Sequence, residues 1–161
     1  MCVRLHYCTA AAAPTVPWHD PGVPALGIHH VGIAVLDLEH ARARYMQLYG
    51  ARIEARERVR EQGVEALALL VGAIGRVELL APLGEDTPVG RFLARRGEGM
   101  HHLAFGVADL RAELALLRAA GATLIDEEPR TGIYGEVAFV HHESLGGVLS
   151  ELVQLTTERE A

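Results

Sequence analysis

The chain has 161 residues, of which 50% are hydrophobic and 22% are charged, so it is long enough for one globular domain or two small fused modules. The formal net charge of -6 argues against a nucleic-acid partner, because phosphate binding needs a basic surface. No apolar run approaches the roughly 20 residues of a membrane-spanning helix. Two cysteines, both near the start, make no disulfide framework. We therefore expect a cytoplasmic protein that binds neither a membrane nor nucleic acid.

The first part of the chain is rich in proline. Four prolines lie between positions 14 and 24, at intervals of three or four residues. Proline is unfavourable in a helix interior and in a central strand. We expect residues 1–26 to form a disordered N-terminal tail, and residues 156–161 to form a short C-terminal tail.

Regular structure is predicted from position 28 onward. The segment "IHHVGIAV" is typical of a strand, and Asp37 then occupies the N-cap position of a helix that ends before Gly50. Three further strands are predicted in "ARIEARERV", "VEALALLV" and "GRVELLAPL", the first two joined by a turn around Gly63. Thr87 and Pro88 suit the N-cap and first position of a short helix, "VGRFLARR".

The second half of the chain repeats this order. "MHHLAFGV" is a predicted strand, "LRAELALLRAA" a helix, and "ATLID", "EVAFVH" and "GVLSELVQL" are further strands. Five residues of the first half recur 72 positions later: His29, His30, Val35, Asp37 and Leu38 match His101, His102, Val107, Asp109 and Leu110. The repeat predicts an α+β fold of two tandem βαβββ modules, residues 27–98 and 99–155, which together form a curved mixed sheet.

Strand alternation divides each histidine pair, because successive residues of a strand point to opposite faces of the sheet. His30 shares its face with a glycine and an alanine, whereas His29 shares its face with bulky residues that suit packing under a helix. His102 and His101 divide in the same way. We expect His30 and His102 to point into a concavity, and His29 and His101 to lie at strand ends or at the surface.

Two glutamates take matching places on the last strands of the two modules. Glu78 lies in "VELL" and Glu151 in "SELV", and inward side chains at both positions would meet the two inward histidines. Two imidazoles and two carboxylates suit a divalent first-row metal such as cobalt, manganese, nickel, zinc or iron. The alternative is a polar pattern inherited by duplication without use. The cost of burying unpaired carboxylates favours the metal site.

These segments resemble the vicinal oxygen chelate superfamily and, within it, the methylmalonyl-CoA epimerases. The resemblance covers about residues 27–155 and is most specific in "EQGV", "ELLAPLGEDTPVGRFL" and "GEGMHH". It implies a glyoxalase-like fold around one divalent metal ion, with cobalt foremost and manganese, nickel or zinc as alternatives. It also implies an isomerase that interconverts (R)- and (S)-methylmalonyl-CoA by proton abstraction at C2, through a metal-stabilised enolate.

The resemblance also implies roles for residues at matching positions. The implied metal ligands are His30, Glu78, His102 and Glu151. Glu151 is in addition an implied acid/base group. The second acid/base group of some members is a glutamate at the position of Ala66. Glu65 is the neighbouring candidate here, but it needs a bulge or a register shift to face inward. Glu61 or a metal-bound water is the alternative.

The acyl-CoA substrate needs a binding surface. The candidates for its phosphates are Arg91, Arg95, Arg96 and Arg130, with the loop "EPRTGIYGE" closing on the acyl end. The alternative for these arginines is a solvated face. On function, the alternatives are another enzyme of the superfamily, such as a glyoxalase-like isomerase, and a non-catalytic small-molecule-binding protein. Two modules of this kind leave sheet edges and helix faces that commonly pair with another chain, so we expect a homodimer.

Overall fold

The described part of the chain, residues 25–155 of a computed structural model, is divided into two halves, each with a strand, a helix and three further strands in that order. The first half contains β1 (Gly27–Ala34), α1 (Leu38–Tyr49), β2 (Arg52–Val59), β3 (Val64–Val71), β4 (Gly75–Pro82) and α2 (Pro88–Arg96). The second half contains β5 (Gly99–Val107), α3 (Leu110–Ala119), β6 (Arg130–Gly132), β7 (Gly135–Val140), a 3-10 helix (His142–Leu145) and β8 (Ser150–Gln154). The tails predicted at 1–26 and 156–161 lie outside the described residues, apart from residues 25 and 26.

The eight strands of residues 25–155 belong to one mixed sheet, in the order β2-β3-β4-β1-β5-β8-β7-β6. β1 and β5 pair antiparallel at the centre and join the two halves, and each of them also has a parallel neighbour, β4 or β8. The sheet is strongly curved, since Gln62 beside one edge donates a hydrogen bond of 2.9 Å to the carbonyl of Thr131 on the other edge strand. This curvature produces the predicted concavity.

Aspartate caps set where α1 and α3 begin. The Asp37 carboxylate accepts from the backbone N–H of His40 at 2.9 Å, and the Asp109 carboxylate accepts from that of Ala112 at 3.0 Å. Both helices cover the outer face of the sheet, and each buries its own apolar cluster there. α2 packs on the inner face beside the concavity, against a cluster that includes Ala66. No helix among residues 25–155 is long and apolar enough to cross a membrane.

The second strand of the second half lies later in the chain than predicted. Residues 122–126, "ATLID", form only an isolated bridge between Leu124 and Val140, and the strand is instead β6, inside the predicted loop. Asp126 gives the reason, because its carboxylate accepts from the backbone N–H of Phe139 at 2.8 Å. A side chain that takes this backbone donor competes with strand pairing.

Candidate metal centre and cavity

The four implied metal ligands lie on the four central strands of the sheet, which are neighbours in the order β4-β1-β5-β8. In the strand register, Glu78 is opposite Gly32 on β1, and Glu151 is opposite Ala104 on β5. All four side chains point to the concave face and are buried. The exposed fractions are 1% for His30, 6% for Glu78, 2% for His102 and 4% for Glu151.

The ligand atoms converge on one point. His30 Nε2 lies 3.1 Å from His102 Nε2, 3.2 Å from Glu78 Oε2 and 3.1 Å from Glu151 Oε2. His102 Nε2 lies 3.5 Å from each of the two carboxylate oxygens. Nitrogen and oxygen ligands bind a first-row ion at about 2.0–2.2 Å, which places neighbouring ligand atoms about 3.0–3.5 Å apart. The five distances fit a shared metal ion.

One of these ligand atoms, Glu151 Oε2, makes no hydrogen bond within residues 25–155. Glu151 Oε2 is buried and has no hydrogen-bond partner among the described residues, although it lies 3.1 Å from His30 Nε2. A buried carboxylate oxygen without a hydrogen bond is costly unless it binds a cation. Two imidazoles and two carboxylates are also the donor set of a divalent first-row ion. The residues therefore fit a metal centre of this class.

Gly32 makes room for one of the ligands. It lies opposite His102 in the β1–β5 register, and a Cβ added to Gly32 would overlap the imidazole ring, within 2.5 Å of both ring nitrogens. Real Cβ atoms do not approach other atoms so closely. Gly32, one of the small residues predicted on the face of His30, therefore leaves the space into which the ring of His102 fits.

The carboxylates favour the charged form of both imidazoles in the metal-free protein. Burial alone lowers the pKa of His102, but its close contacts with the carboxylates of Glu151 and Glu78 outweigh burial and raise that pKa to about 9. The pKa of His30 is raised for the same reasons. Burial raises the pKa of both carboxyls, but the imidazoles outweigh it and hold each pKa below its usual range. A metal ion must displace the imidazole protons.

His29 and His101, predicted at strand ends or at the surface, are each the third residue of a strand, β1 or β5. Both are half-buried, and the Nδ1 atom of each lies within hydrogen-bond distance of Nδ1 of the ligand that follows it. Burial, together with the neighbouring imidazole, lowers the pKa of each to about 4. Strand alternation predicted that His30 and His102 point inward, but it did not predict their Nδ1 contacts with His29 and His101. The repeated His-His pair was the sequence feature that could have indicated these contacts.

A cavity of about 200 Å³ opens beside the cluster. Much of its wall is apolar and comes from both halves of the chain, as Val64, Leu80, Val89, Ile125, Phe139 and Leu149. Apart from three of the metal ligands, its polar lining is supplied by Glu61, Gln62, His101 and Arg130. An organic acid with an apolar part would find both kinds of surface here.

Arg130 is the one predicted arginine that lines the cavity. Its guanidinium carbon lies 5.0 Å from the centre of the Phe139 ring, and its Nε lies 3.1 Å from the Asp126 carboxylate. Arg91 instead donates to the backbone carbonyl of Asp86. Arg95, like Arg96, is exposed at the end of α2, outside the cavity lining. Arg130 therefore places a positive charge within reach of an anionic ligand.

Glu65 lies on the outer face of the sheet, so the structure does not bring it into the site. The β3–β4 register runs without a break from Val64 to Val71, and the bulge that would turn Glu65 inward does not occur. Its carboxylate pairs with Arg56 at 2.8 Å and Arg58 at 3.1 Å. Glu61, in the turn between β2 and β3, does line the cavity.

Comparison with known proteins places this arrangement in a family. Residues 29–139 match the family described as the glyoxalase/bleomycin resistance protein/dioxygenase superfamily. The chain belongs to this superfamily. Among its members, the ethylmalonyl-CoA/methylmalonyl-CoA epimerase of Cereibacter sphaeroides is 37% identical over 131 residues, which is 80% of this chain and 97% of that protein.

Solved structures of the superfamily share the fold. The methylmalonyl-CoA epimerase of Mycobacterium tuberculosis has a TM-score of 0.79 and 37% identity over 83% of this chain and 91% of its own. A methylmalonyl-CoA epimerase in complex with methylmalonyl-CoA and ammonium has a TM-score of 0.79 and 38% identity, over 83% of this chain and 97% of its own. The predicted glyoxalase-like fold and the resemblance to methylmalonyl-CoA epimerases are confirmed.

Proposed function

We propose that this chain is a metal-dependent epimerase that interconverts (R)- and (S)-methylmalonyl-CoA by removing and returning the proton at C2. The observation that carries the proposal is the buried cluster of two imidazoles and two carboxylates beside a cavity. The similar epimerases support the acyl-CoA substrate, because one of them was solved with methylmalonyl-CoA bound.

The chemistry explains why such a cluster is needed. The C2 proton lies between a thioester and a carboxylate, yet it is too weakly acidic for a carboxylate base in water. A divalent ion in the cluster, cobalt foremost and otherwise manganese, nickel or zinc, would stabilise the negative charge that develops on the thioester oxygen. We assign proton transfer on one face of C2 to Glu151, which lines the cavity beside the cluster.

Inversion at C2 also needs a proton donor or acceptor on the opposite face. Among the cavity-lining carboxylates of residues 25–155, Glu61 is the one outside the metal cluster. It lies in the β2–β3 turn, in the other half of the chain from Glu151. We therefore assign the second proton transfer to Glu61 rather than to Glu65.

Arginines supply the charge that an acyl-CoA requires. We assign Arg130 to an anionic group of the substrate, because it lines the cavity and its guanidinium is held by Phe139 and Asp126. Arg91 and Arg95 remain predictions for CoA phosphates, since both lie exposed on α2, the helix that contributes Val89 to the cavity wall.

The homodimer and the cytoplasmic location also remain predictions from the sequence. Sedimentation equilibrium of the purified chain would measure the first, with a mass of twice 17.4 kDa expected. Fractionation of cells that express the chain would measure the second.

Deuterium exchange tests the proposed reaction. Metal-free protein is loaded separately with cobalt, manganese, nickel, zinc or iron(II), and is incubated with methylmalonyl-CoA in deuterated water. We expect deuterium to enter C2 with racemisation, as followed by NMR and chiral analysis. Absence of exchange with all five metals would contradict the proposal.

Two glutamine variants localise the reaction. Glu151→Gln is expected to abolish exchange, because it removes both a ligand charge and the assigned base. Glu65→Gln is the matched control, since it makes the same change on the outer face of the sheet and is expected to keep the wild-type exchange rate.

A further inference from the structure

The doubled histidines form one arrangement that occurs twice. His29 Nδ1 lies 2.9 Å from His30 Nδ1, with ring centres 5.2 Å apart and ring planes at 76°. His101 Nδ1 lies 3.1 Å from His102 Nδ1, with ring centres 5.4 Å apart and ring planes at 82°. The pairs lie on different strands, at matching positions of the two halves. The same Nδ1–Nδ1 contact therefore forms in both halves of the chain.

An aromatic ring from the opposite half packs against each outer histidine. Tyr134, which lies between β6 and β7, meets His29 edge-on with ring centres 4.6 Å apart and planes at 81°. Phe92 on α2 meets His101 with ring centres 5.0 Å apart and planes at 73°. Edge-to-face contacts of this kind are favourable and restrict rotation of both rings. The outer histidines are thereby held with Nδ1 toward the ligands.

We propose that His29 and His101 are positioning residues that fix the orientation and the tautomer of the metal ligands His30 and His102. The ligands direct Nε2 to the cluster, so their single proton as neutral imidazoles must lie on Nδ1. That Nδ1–H donates to Nδ1 of the outer histidine, which accepts and keeps its own proton on Nε2. A hydrogen bond to the second nitrogen of a ligand histidine determines which nitrogen binds the metal.

The inference rests on the metal centre of the proposed function, but it does not depend on the substrate. Its readouts are therefore metal affinity and proton position, neither of which requires turnover. Loss of epimerase activity and loss of ligand positioning are thus measured separately.

Matched substitutions separate hydrogen bonding from packing. His29→Phe and His101→Phe keep an aromatic ring but remove the acceptor, and His29→Asn and His101→Asn keep an acceptor oxygen near the place of Nδ1. Zinc affinity is measured for each purified, metal-free protein by competition with a chromophoric chelator. We expect the phenylalanine variants to bind zinc about 10–100-fold more weakly, and the asparagine variants to keep most of the wild-type affinity.

Long-range ¹H–¹⁵N spectra of the zinc-loaded wild-type protein give the proton positions directly. We expect His30 and His102 to carry their proton on Nδ1, and His29 and His101 to carry theirs on Nε2. This measurement needs no variant, so it decides the tautomers even if a phenylalanine variant fails to fold.

The outcomes are distinguishable. Wild-type zinc affinity in both phenylalanine variants, or ligand histidines with the proton on Nε2, would overturn the positioning role while leaving the metal centre in place. A wild-type chain that takes up no zinc, cobalt, manganese, nickel or iron(II) would overturn both the metal centre and this inference. Weaker binding in the phenylalanine variants with retention in the asparagine variants would support it.

Discussion

Gly32 lies directly opposite His102 in the β1–β5 register, and its missing side chain is the space that the imidazole occupies. In Gly32→Ala we expect His102 to move out of the cluster and zinc affinity to fall. Overpacking of this kind also costs about 1–3 kcal/mol of stability. Gly84→Ala is the control, because the nearest atom to an added Cβ there is 3.9 Å away. Chelator competition and thermal unfolding measure both effects, and equal results for the two variants would contradict this account of Gly32.

Glu61 and Glu151 are expected to act on opposite faces of C2. In Glu61→Gln we expect epimerisation to slow by about 10²–10⁴-fold, the usual contribution of a positioned acid or base. Glu151 remains, so solvent deuterium should still enter the one isomer whose C2 proton faces it. NMR of each isomer in deuterated water distinguishes the two rates, with Glu65→Gln as control. Equal loss of exchange from both isomers, or no loss of epimerisation, would contradict the assignment.

Strand alternation was enough to predict that His30 and His102 point inward, because small residues share their face of each strand, although the β1–β5 register shifts at His29 and at His101. It could not predict the contact between neighbouring histidines, which depends on rings that Tyr134 and Phe92 bring from distant parts of the chain. The face of the sheet on which Glu65 lies depends on the β3–β4 register, which no local sequence pattern determines.

At the scale of elements, the segment between β6 and β7 links the two halves across the cavity. Ile133 packs against the inner apolar cluster of the first half, and Tyr134 lies against the rings of His29 and His30. β6 also begins with Arg130, which lines the cavity. This segment, which the sequence predicts as a loop, is therefore part of the wall of the site.

One hydrogen bond ties this segment to the first half, between the Gln62 side chain and the backbone carbonyl of Thr131. Removing it in Gln62→Ala should cost about 0.5–1.5 kcal/mol and speed hydrogen exchange of amides 130–135. Thr131→Val is the matched control, because the backbone and not the side chain accepts the bond. Mass-spectrometric hydrogen exchange measures both variants, and faster exchange in the valine variant alone would contradict this role of Gln62.

The positions of most elements could be predicted because capping residues and glycines mark their ends, as Asp37 and Gly50 do for α1. The position of β6 could not be predicted in this way. "ATLID" has the composition of a strand, but Asp126 bonds to the backbone of Phe139 and β6 itself is only three residues long. A strand this short is determined by the neighbour it pairs with rather than by its own sequence.

The proposed metal centre joins the two halves of the molecule. His30 and Glu78 come from the first half and His102 and Glu151 from the second, so the four ligands meet only when β1 and β5 pair. An ion bound by all four stabilises the folded chain by mass action, because the unfolded chain does not hold the ligands together.

The stabilisation by metal should depend on pH, because the ion competes with protons. In the metal-free protein the pKa of His102 is raised from 6.5 to about 9, and that of His30 is also raised. These protonated imidazoles contribute stability that is complete below pH 6.5 and is lost as the pH rises through about 9. Glu78 and Glu151 have lowered pKa values, so their contribution is present above pH 4.5 and is lost as the pH falls below it.

We therefore expect the difference in Tm between cobalt-loaded and metal-free protein to widen from pH 6 to pH 9, since the metal-free form loses stability while the ligands lose the protons that oppose metal binding. Differential scanning calorimetry with and without cobalt measures this difference, and a pH-indicator assay near neutral pH should detect protons released on binding. His102→Ala is the control, because it removes a ligand together with its proton, and the Tm difference of this variant should be small at every pH. A wild-type difference that stays constant or narrows with pH would show that the imidazoles are not the groups displaced by the ion.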